Sequence, residues 1–223
     1  MLYVVATPIG NLEDITLRAI STLKSVDFIL SEDTRVTGKL LHHFEIQTPM
    51  ISFHEYSDDN KYEKIIEMLQ EGKSLALVTD AGTPAISDPG YFLVQRIREQ
   101  LPENKIISIP GASALTAAVS ISGFNMKEFT FLGFPPHKKG RKTFFENIAE
   151  QIKDRPVVIY ESKHRLIKAL ESLNNLLPEN KIVVAKELTK MFEEIISGTP
   201  SEIINIFSEN HDKIKGEFVV IIK

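Results

Sequence analysis

Leu75, Ala76, Leu77 and Val78 form an apolar run without polar alternation, and Thr79 and Asp80 close it. A run of that length and character reads as a buried strand. The segment that follows, Asp80 to Gly90, holds two glycines, two prolines and a second aspartate. A strand that opens into such a loop is where open α/β sheets place their ligand sites. Gly82 and Gly90 permit positive φ or a close backbone approach, and Pro84 and Pro89 stiffen the path between them. Two plainer readings apply to the same residues. Strand-to-helix connections are rich in Gly, Pro and Asp because turns require them, and Asp88 suits the cap of the next helix.

The pattern of short apolar runs alternating with amphipathic stretches recurs along the chain and signals an α/β fold. Strands are expected at Leu2–Ala6, Phe28–Ser31, Met50–Phe53, Leu75–Thr79 and Ile106–Ile109. The clearest helix between them is Asn60–Gln70, with Tyr62, Ile65, Ile66 and Leu69 on one face and Gly72 as its C-terminal stop. Ala112–Ser122 reads as a nearly all-apolar, buried helix. A second series follows, with strands at Phe129–Gly133, Val157–Tyr160, Ile182–Ala185, Glu194–Ser197 and Glu217–Ile222. Its helices are expected at Lys142–Gln151, Lys163–Leu176 and Ser201–Ser208. The break at SGFN, near Ser122, divides the chain into two expected α/β domains, residues 1–122 and 123–223. The interface between two such domains is the default place for a ligand cleft.

Composition removes several classes of function. The 223 residues include no cysteine, which excludes a disulfide framework, thiolate metal sites and thiol catalysis, and fits a reducing compartment such as the cytoplasm. A net charge of −4 gives no global pull toward nucleic acid or acidic membrane, so any such partner must meet a local patch. MLYVVATPIGN has neither a basic start nor a small-residue cleavage site and is not a signal peptide. Ile106 to Met126 is free of charge and long enough to span a bilayer, but Pro110-Gly111 and four serines divide it. It reads as strand, turn and helix.

Familiar catalytic motifs fail in detail. Gly72-Lys73-Ser74 lacks the earlier glycine of a P-loop, since that position is Glu67, and it leads from helix into strand. GASAL at Gly111 lacks the last glycine of a nucleophile elbow. No G-x-G-x-x-G follows the first strand. His54-Glu55 has Asp58 where a zinc helix needs its second histidine, and His42-His43 cannot share a helix face, so no bound metal is expected.

Three more segments repeat the strand-then-turn pattern of the Leu75 region: VVATPIGN from Val4, ISIPGAS from Ile107 and FLGFPP from Phe131. Together these turns would offer backbone N–H and C=O groups to a polar, uncharged or zwitterionic small molecule. The ordered set TPIGNLEDIT, SEDTR, DAGTPAISDPG, IPGASA, GFPP, YESKHRL, KELTK and GEFVV resembles the tetrapyrrole-methylase superfamily. Within it, SEDTR with DAGTP…DPG is similar to the ribosomal RNA small-subunit methyltransferase I family, and the likeness runs from Tyr3 to Ile222.

The resemblance implies two α/β domains of the tetrapyrrole-methylase type with a cofactor cleft between them, a homodimer, and S-adenosylmethionine as cofactor. It implies methylation of the ribose 2′-hydroxyl of a cytidine in the decoding region of 16S rRNA. Carried over by motif, the cofactor contacts are Pro8, Asp80, Ala81, Gly82, Pro110, Gly111, Ala112 and Ser113, with Phe134, Glu187 and Leu188 from the second domain. Many relatives continue into a small C-terminal extension beyond the GEFVV strand, whereas this sequence stops at Lys223, which bears on RNA affinity. The alternatives are methylation of a small tetrapyrrole or modified amino acid, and a non-catalytic ribosome-binding relative.

A sulfonium methyl donor is already activated, but a ribose hydroxyl needs a base or a charge that stabilises its alkoxide. Glu32, Asp33 and Arg35 of SEDTR, Glu161, Lys163 and Arg165 of YESKHR, and Lys186 and Glu187 are the candidates; Asp33, Arg35 and Glu187 are the expected catalytic set. The plainer role for Asp33 is a helix cap, and for Glu161 a helix start. His137 to Lys142 is the one dense basic run, flanked by Phe134, Phe144 and Phe145. Cations beside aromatics suit single-stranded RNA. The expected RNA contacts are therefore Lys138, Lys139, Arg141, Lys142, Lys163 and Arg165, unless the run is a solvated loop with both phenylalanines in the core.

Overall fold

A computed structural model describes residues 1–54, 58–88, 90–209 and 214–223. Pro89 of the proposed ligand loop and Glu55 of the rejected zinc motif lie outside the described residues. The chain forms two compact units, Met1–Ser113 and Ala114–Lys223.

The first unit is built on five parallel strands: β1 (Leu2–Val5), β2 (Phe28–Ser31), β3 (Met50–Ser52), β4 (Leu75–Val78) and β5 (Ile106–Ile109). Their spatial order is β3-β2-β4-β1-β5. Helices α1 (Leu17–Ser25), α2 (Thr34–His43), α3 (Asp59–Gln70) and α4 (Gly90–Gln100) complete it. Strand alternation sorts the core into two layers. Leu2, Leu30, Leu75 and Leu77 pack with Tyr62, Ile65, Ile66 and Leu69 of α3 and Leu93 and Ile97 of α4. Val5, Ile29, Ala76, Val78 and Ile109 pack with Ala19 and Leu23 of α1 and Leu41 of α2. Helices thus cover both faces, which is why β4 is apolar at all four positions rather than at alternate ones.

That sorting fixes where the chain divides. The connections from β1 and β2 run to helices on one face, and those from β3 and β4 to helices on the other. β1 and β4 are neighbours in the sheet, so at their C-terminal ends adjacent strands send the chain in opposite directions. Such a reversal opens a crevice at the strand ends.

Asp58, which sequence reasoning did not single out as a cap, begins α3 by accepting from the Lys61 N–H at 3.0 Å. At the other end Gly72 takes φ of +84°, with Gly72 N–H bonded to the Leu69 carbonyl and Lys73 N–H to that of Met68, which closes the helix as expected.

The second unit contains α5 (Ala114–Ile121), β6 (Thr130–Phe131), α6 (Arg141–Gln151), β7 (Val157–Ser162), α7 (Leu166–Leu176), β8 (Ile182–Lys186), β9 (Glu194–Gly198), α8 (Pro200–Glu209) and β10 (Glu217–Ile222). Its sheet runs β6-β7-β10-β8-β9, with β6 parallel to β7 and every other pairing antiparallel. One face carries Val157, Ile159, Ile182, Val184, Phe218, Val220 and Ile222, which form a core with α6, α7 and α8.

Two sequence expectations differ here. The division lies at Ser113/Ala114 rather than at residue 122, because α5 packs on β10 of the second unit and SGFN is a turn within that unit. Nor is α5 a buried helix: only Ala118 is fully covered, and Ile121 is 47% exposed. Small side chains on one face suffice for its packing, so high apolar content did not require burial all round. Ile106–Met126 resolves into β5, a turn and α5, and among the described residues no helix is long and apolar enough to cross a membrane.

Candidate functional site

Three turns of the first unit are tied into one assembly at the C-terminal ends of β1, β4 and β5. Thr7 N–H donates to the Gly82 carbonyl at 2.9 Å, and Gly82 N–H donates to the Thr7 carbonyl at 3.1 Å. The Thr7 hydroxyl donates to the Thr79 carbonyl at 3.1 Å, and the Thr83 hydroxyl to the Ala112 carbonyl at 3.2 Å. Gly82 has φ of +88°, a conformation that L side chains adopt at a penalty. Gly111 is needed for proximity instead: a Cβ there would lie 3.1 Å from the Ala6 Cβ. Pro8, Asp80, Ala81, Gly82, Pro110, Gly111, Ala112 and Ser113, though far apart in sequence, therefore belong to one set of joined turns. Asp80, Ala81, Pro110 and Gly111 are exposed, while Pro8 is buried.

The SEDTR turn joins the same set from β2. The Thr79 hydroxyl donates to Glu32 Oε2 at 2.8 Å, and Asp33 N–H donates to Asp80 Oδ1 at 3.1 Å. Asp33 caps α2 through the Arg35 N–H, so the plainer role is present. It also receives the Arg35 guanidinium as a fork, Nε to Oδ1 at 3.0 Å and Nη2 to Oδ2 at 2.6 Å. That side-chain pairing, helped by the Arg35 N–H, lowers the Asp33 pKa to about 2. Asp80 moves the other way: burial raises its pKa, and the charges of Glu32 and Asp33 add to the rise, against the Asp33 N–H and Arg35. Two neighbouring carboxylates thus differ in kind. Asp33 is a fixed anion that accepts a proton poorly and aims an exposed guanidinium. Asp80 holds its charge less firmly.

The remainder of the β4 loop is strained and internally held. Ala85 and Ser87 have φ of +69° and +63°, each an unfavourable state for a residue with a Cβ. Asp88 holds Ala85 by accepting from its N–H at 2.7 Å, and accepts also from the N–H of Gly90, the first residue of α4, at 3.0 Å. Burial raises its pKa, only partly offset by those two N–H groups. Asp88 therefore shapes the loop and starts the helix.

In the second unit, Glu187 stands at the end of β8 with φ of +49°. Its carboxylate accepts from Lys190 Nζ at 2.9 Å and from Glu217 N–H at 3.1 Å. Burial raises its pKa, but Lys190 and the Glu217 N–H outweigh that and hold it below the ordinary value. Gly216 makes room for this: a Cβ there would overlap the Glu187 carboxylate, which explains the glycine of GEFVV. Leu188 is buried, and Phe134 is half exposed with its ring centroid 5.3 Å from that of Tyr160.

The predicted RNA cations separate into two groups. Lys138, Lys139, Lys142 and Lys163 are exposed. Arg141 and Arg165 are directed inward to Glu161, at 2.9 and 3.3 Å. Of the flanking aromatics, Phe145 is in the core and Phe144 packs against it, so only Phe134 of the three presents a ring to solvent. Sequence reasoning did not single out Thr7, Thr79 and Thr83, the hydroxyls that join the turns. Thr7 and Thr79 share the signal of a threonine just after the end of a strand, whereas Thr83 lies further along the loop. It also did not foresee the burial of Glu161, for which the only hint is its place at the end of an apolar strand.

This fold, a parallel-sheet unit followed by a mixed-sheet unit, is shared with solved methyltransferases. A cobalt precorrin-4 methyltransferase superposes with a TM-score of 0.72 at 16% identity, covering 99% of this chain and 93% of that one. The uroporphyrin-III-C-methyltransferase of Thermus thermophilus gives 0.65 at 15% identity, with 99% and 93% covered. At this identity the likeness is one of fold. A family model described as Tetrapyrrole (Corrin/Porphyrin) Methylases matches residues 1–204, and the chain belongs to that family. It is 44% identical to ribosomal RNA small subunit methyltransferase I of Bacillus subtilis, over all of this chain and 75% of that protein. It is 46% identical to the Synechocystis protein of the same name, over all of this chain and 78% of that one. For the Thermotoga maritima protein of that name the identity is 42%, over 99% of this chain and 97% of that one. Among the tetrapyrrole methylases, the chain is a member of the ribosomal RNA small subunit methyltransferase I family.

The Asp33–Arg35 fork gives a direct test of the site's electrostatics. A carboxylate with a lowered pKa contributes stability above its ordinary value of 3.8, and the contribution disappears as pH falls toward 2. The carboxyl carbon of Asp33 should titrate in NMR with a midpoint near 2, and Arg35→Met should move that midpoint up toward 3.8. An Asp33 midpoint at 3.8 in the unmodified protein would show that the fork is not populated.

Proposed function

We propose that the protein transfers a methyl group from S-adenosylmethionine to ribosomal RNA, at the ribose 2′-hydroxyl of a cytidine in the decoding region of 16S rRNA. It acts as a homodimer in the cytoplasm, where ribosomes are assembled. The observation that carries this reading is the joining of the β1, β4 and β5 turns, in a chain that matches RNA methyltransferases over its whole length.

The residues present fit the donor. Gly111 leaves the backbone of its turn bare, and Asp80 offers a carboxylate oxygen beyond the one that accepts from Asp33 N–H. Backbone polar groups and one carboxylate suit a zwitterionic ligand that also carries a sulfonium charge. Pro8, Asp80, Ala81, Gly82, Pro110, Gly111, Ala112 and Ser113 are the residues that hold it. S-adenosylmethionine supplies, when bound, a methyl group that needs no further activation.

The rest of the chemistry falls to the chain. Negative charge grows on the 2′-oxygen as its proton passes to water, and a cation held in place stabilises it without reorganising. Arg35 is that cation. Asp33 orients this exposed guanidinium through the fork. Glu187, anionic and anchored by Lys190, is the fixed charge assigned to the second unit. Lys138, Lys139, Lys142 and Lys163 meet the phosphates, which position the RNA without specifying its sequence.

Incubation with methyl-labelled S-adenosylmethionine and, in parallel, small ribosomal subunits, naked rRNA and tetrapyrrole precursors tests the reading. Label is expected in a cytidine ribose of rRNA; label only in a tetrapyrrole, or in no acceptor, contradicts it. Reversing Lys138 and Lys139 to glutamate should weaken RNA binding and reduce the slope of log affinity against log salt by about 1.4, at roughly 0.7 per phosphate contact. Affinity unchanged at both low and high salt would remove these lysines from the interface.

A further inference from the structure

Glu161 is 1% exposed at the end of β7, its side chain fully covered. Arg141 Nη2 donates to its Oε1 at 2.9 Å, Arg165 Nε lies 3.3 Å from its Oε2, and Ser162 N–H donates to Oε2 at 2.8 Å. Both guanidiniums are themselves mostly covered, at 16% and 17% exposed. Taking three charged groups out of water is unfavourable, and apolar side chains of the same size often stabilise a fold as well or better. Stability is therefore a weak reason for this cluster, and the remaining bonds of the arginines indicate a stronger one. Arg165 Nη1 donates to the Pro135 carbonyl at 3.2 Å, and Arg141 Nη1 to the Pro136 carbonyl at 3.3 Å.

Those two carbonyls belong to a segment that ordinary pairing holds poorly. The ladder beside β7 ends where Tyr160 N–H donates to the Gly133 carbonyl at 2.9 Å, and Gly133 then turns the chain at φ of +64°. Pro135 and Pro136 have no N–H to donate, so their carbonyls are the handles that remain. A planar five-donor fork can hold a carbonyl and a carboxylate at once, which an ammonium cannot do with fixed geometry. The segment held in this way begins with the half-exposed Phe134 ring and leads into the exposed Lys138 and Lys139.

We infer that Glu161 is a positioning residue for the RNA substrate: through Arg141 and Arg165 it fixes the GFPP segment so that Phe134 stacks a nucleobase while the following lysines meet the phosphates. Arg141 and Arg165, which the sequence groups with the RNA-binding cations, act on this view through the loop. An aromatic face beside fixed cations suits single-stranded RNA and tolerates any base. The inference rests on the proposed function.

Glu161→Gln keeps the side-chain volume and removes the charge that both arginines share. Ile159→Val, in the same strand but within the α6–α8 core, is the control for stability alone. Both are assayed with RNA at saturating S-adenosylmethionine. Glu161→Gln should raise the KM for RNA about tenfold with kcat within about threefold, while Ile159→Val leaves KM within about twofold. Equal KM values for the two variants, or a loss confined to kcat, overturn the inference. Should Glu161→Gln not fold, Arg165→Lys carries the test, since it keeps the charge and loses the fork; KM should rise about fivefold, and an unchanged KM overturns the inference. Wild-type protein that methylates no RNA overturns the proposed function instead, which keeps the two failures distinct.

Discussion

Two backbone hydrogen bonds between Thr7 and Gly82 join the turn after β1 to the turn after β4, and the site depends on them. The strands are neighbours whose chains leave toward opposite faces of the sheet, so without a tie their turns would diverge. Gly82 is able to make both bonds because it accepts φ of +88°. With that pair in place, Thr83 lies beside the β5 turn, to which its hydroxyl bonds, and Asp80 lies beside the SEDTR turn, whose Asp33 N–H it accepts. Four turns from residues far apart in sequence become one surface, and each lends rigidity to the others.

The same surface shows how neighbouring carboxylates acquire separate roles. Asp33 is saturated by Arg35 and is driven toward a permanent charge, while Asp80, with burial and two nearby anions against it, is raised. Environments that push like groups apart are a mark of functional sites. Glu187 resembles Asp33 in kind, since a lysine and an N–H hold it anionic, and Gly216 gives it space. Positive φ recurs near these residues, at Ala85, Ser87, Glu187 and Thr189, and occurs also at Glu45 just after α2. Backbone strain persists where surrounding bonds over-determine the conformation, and Asp88 supplies those bonds in the β4 loop.

Much of this was legible in the sequence, for reasons that differ by element. β4 reads correctly because a strand buried on both faces has no polar alternation to confuse. α3 reads correctly because Tyr62, Ile65, Ile66 and Leu69 mark a face and Gly72 an end, whereas its Asp58 cap was not singled out. α5 was misjudged in burial and in membership, since its apolar residues fit either unit and periodicity carries no information about which sheet a helix covers. The likeness to a known family located the turns, but not the threonine hydroxyls that join them. The inward direction of Arg141 and Arg165 was not legible either: a basic run looks the same whether its guanidiniums face solvent or a carboxylate that lies twenty residues further on from Arg141.

The central claim is that the joined turns of β1, β4 and β5 hold the methyl donor. Amide hydrogen exchange of the whole protein, with and without S-adenosylmethionine, tests it most directly, because it reads each turn separately and needs no RNA. The account predicts that the donor slows exchange at Thr7, Ala81, Gly82, Thr83, Gly111 and Ala112 together, as one unit. Slowing restricted to the helical faces of either unit, or no slowing at saturating donor, would contradict it.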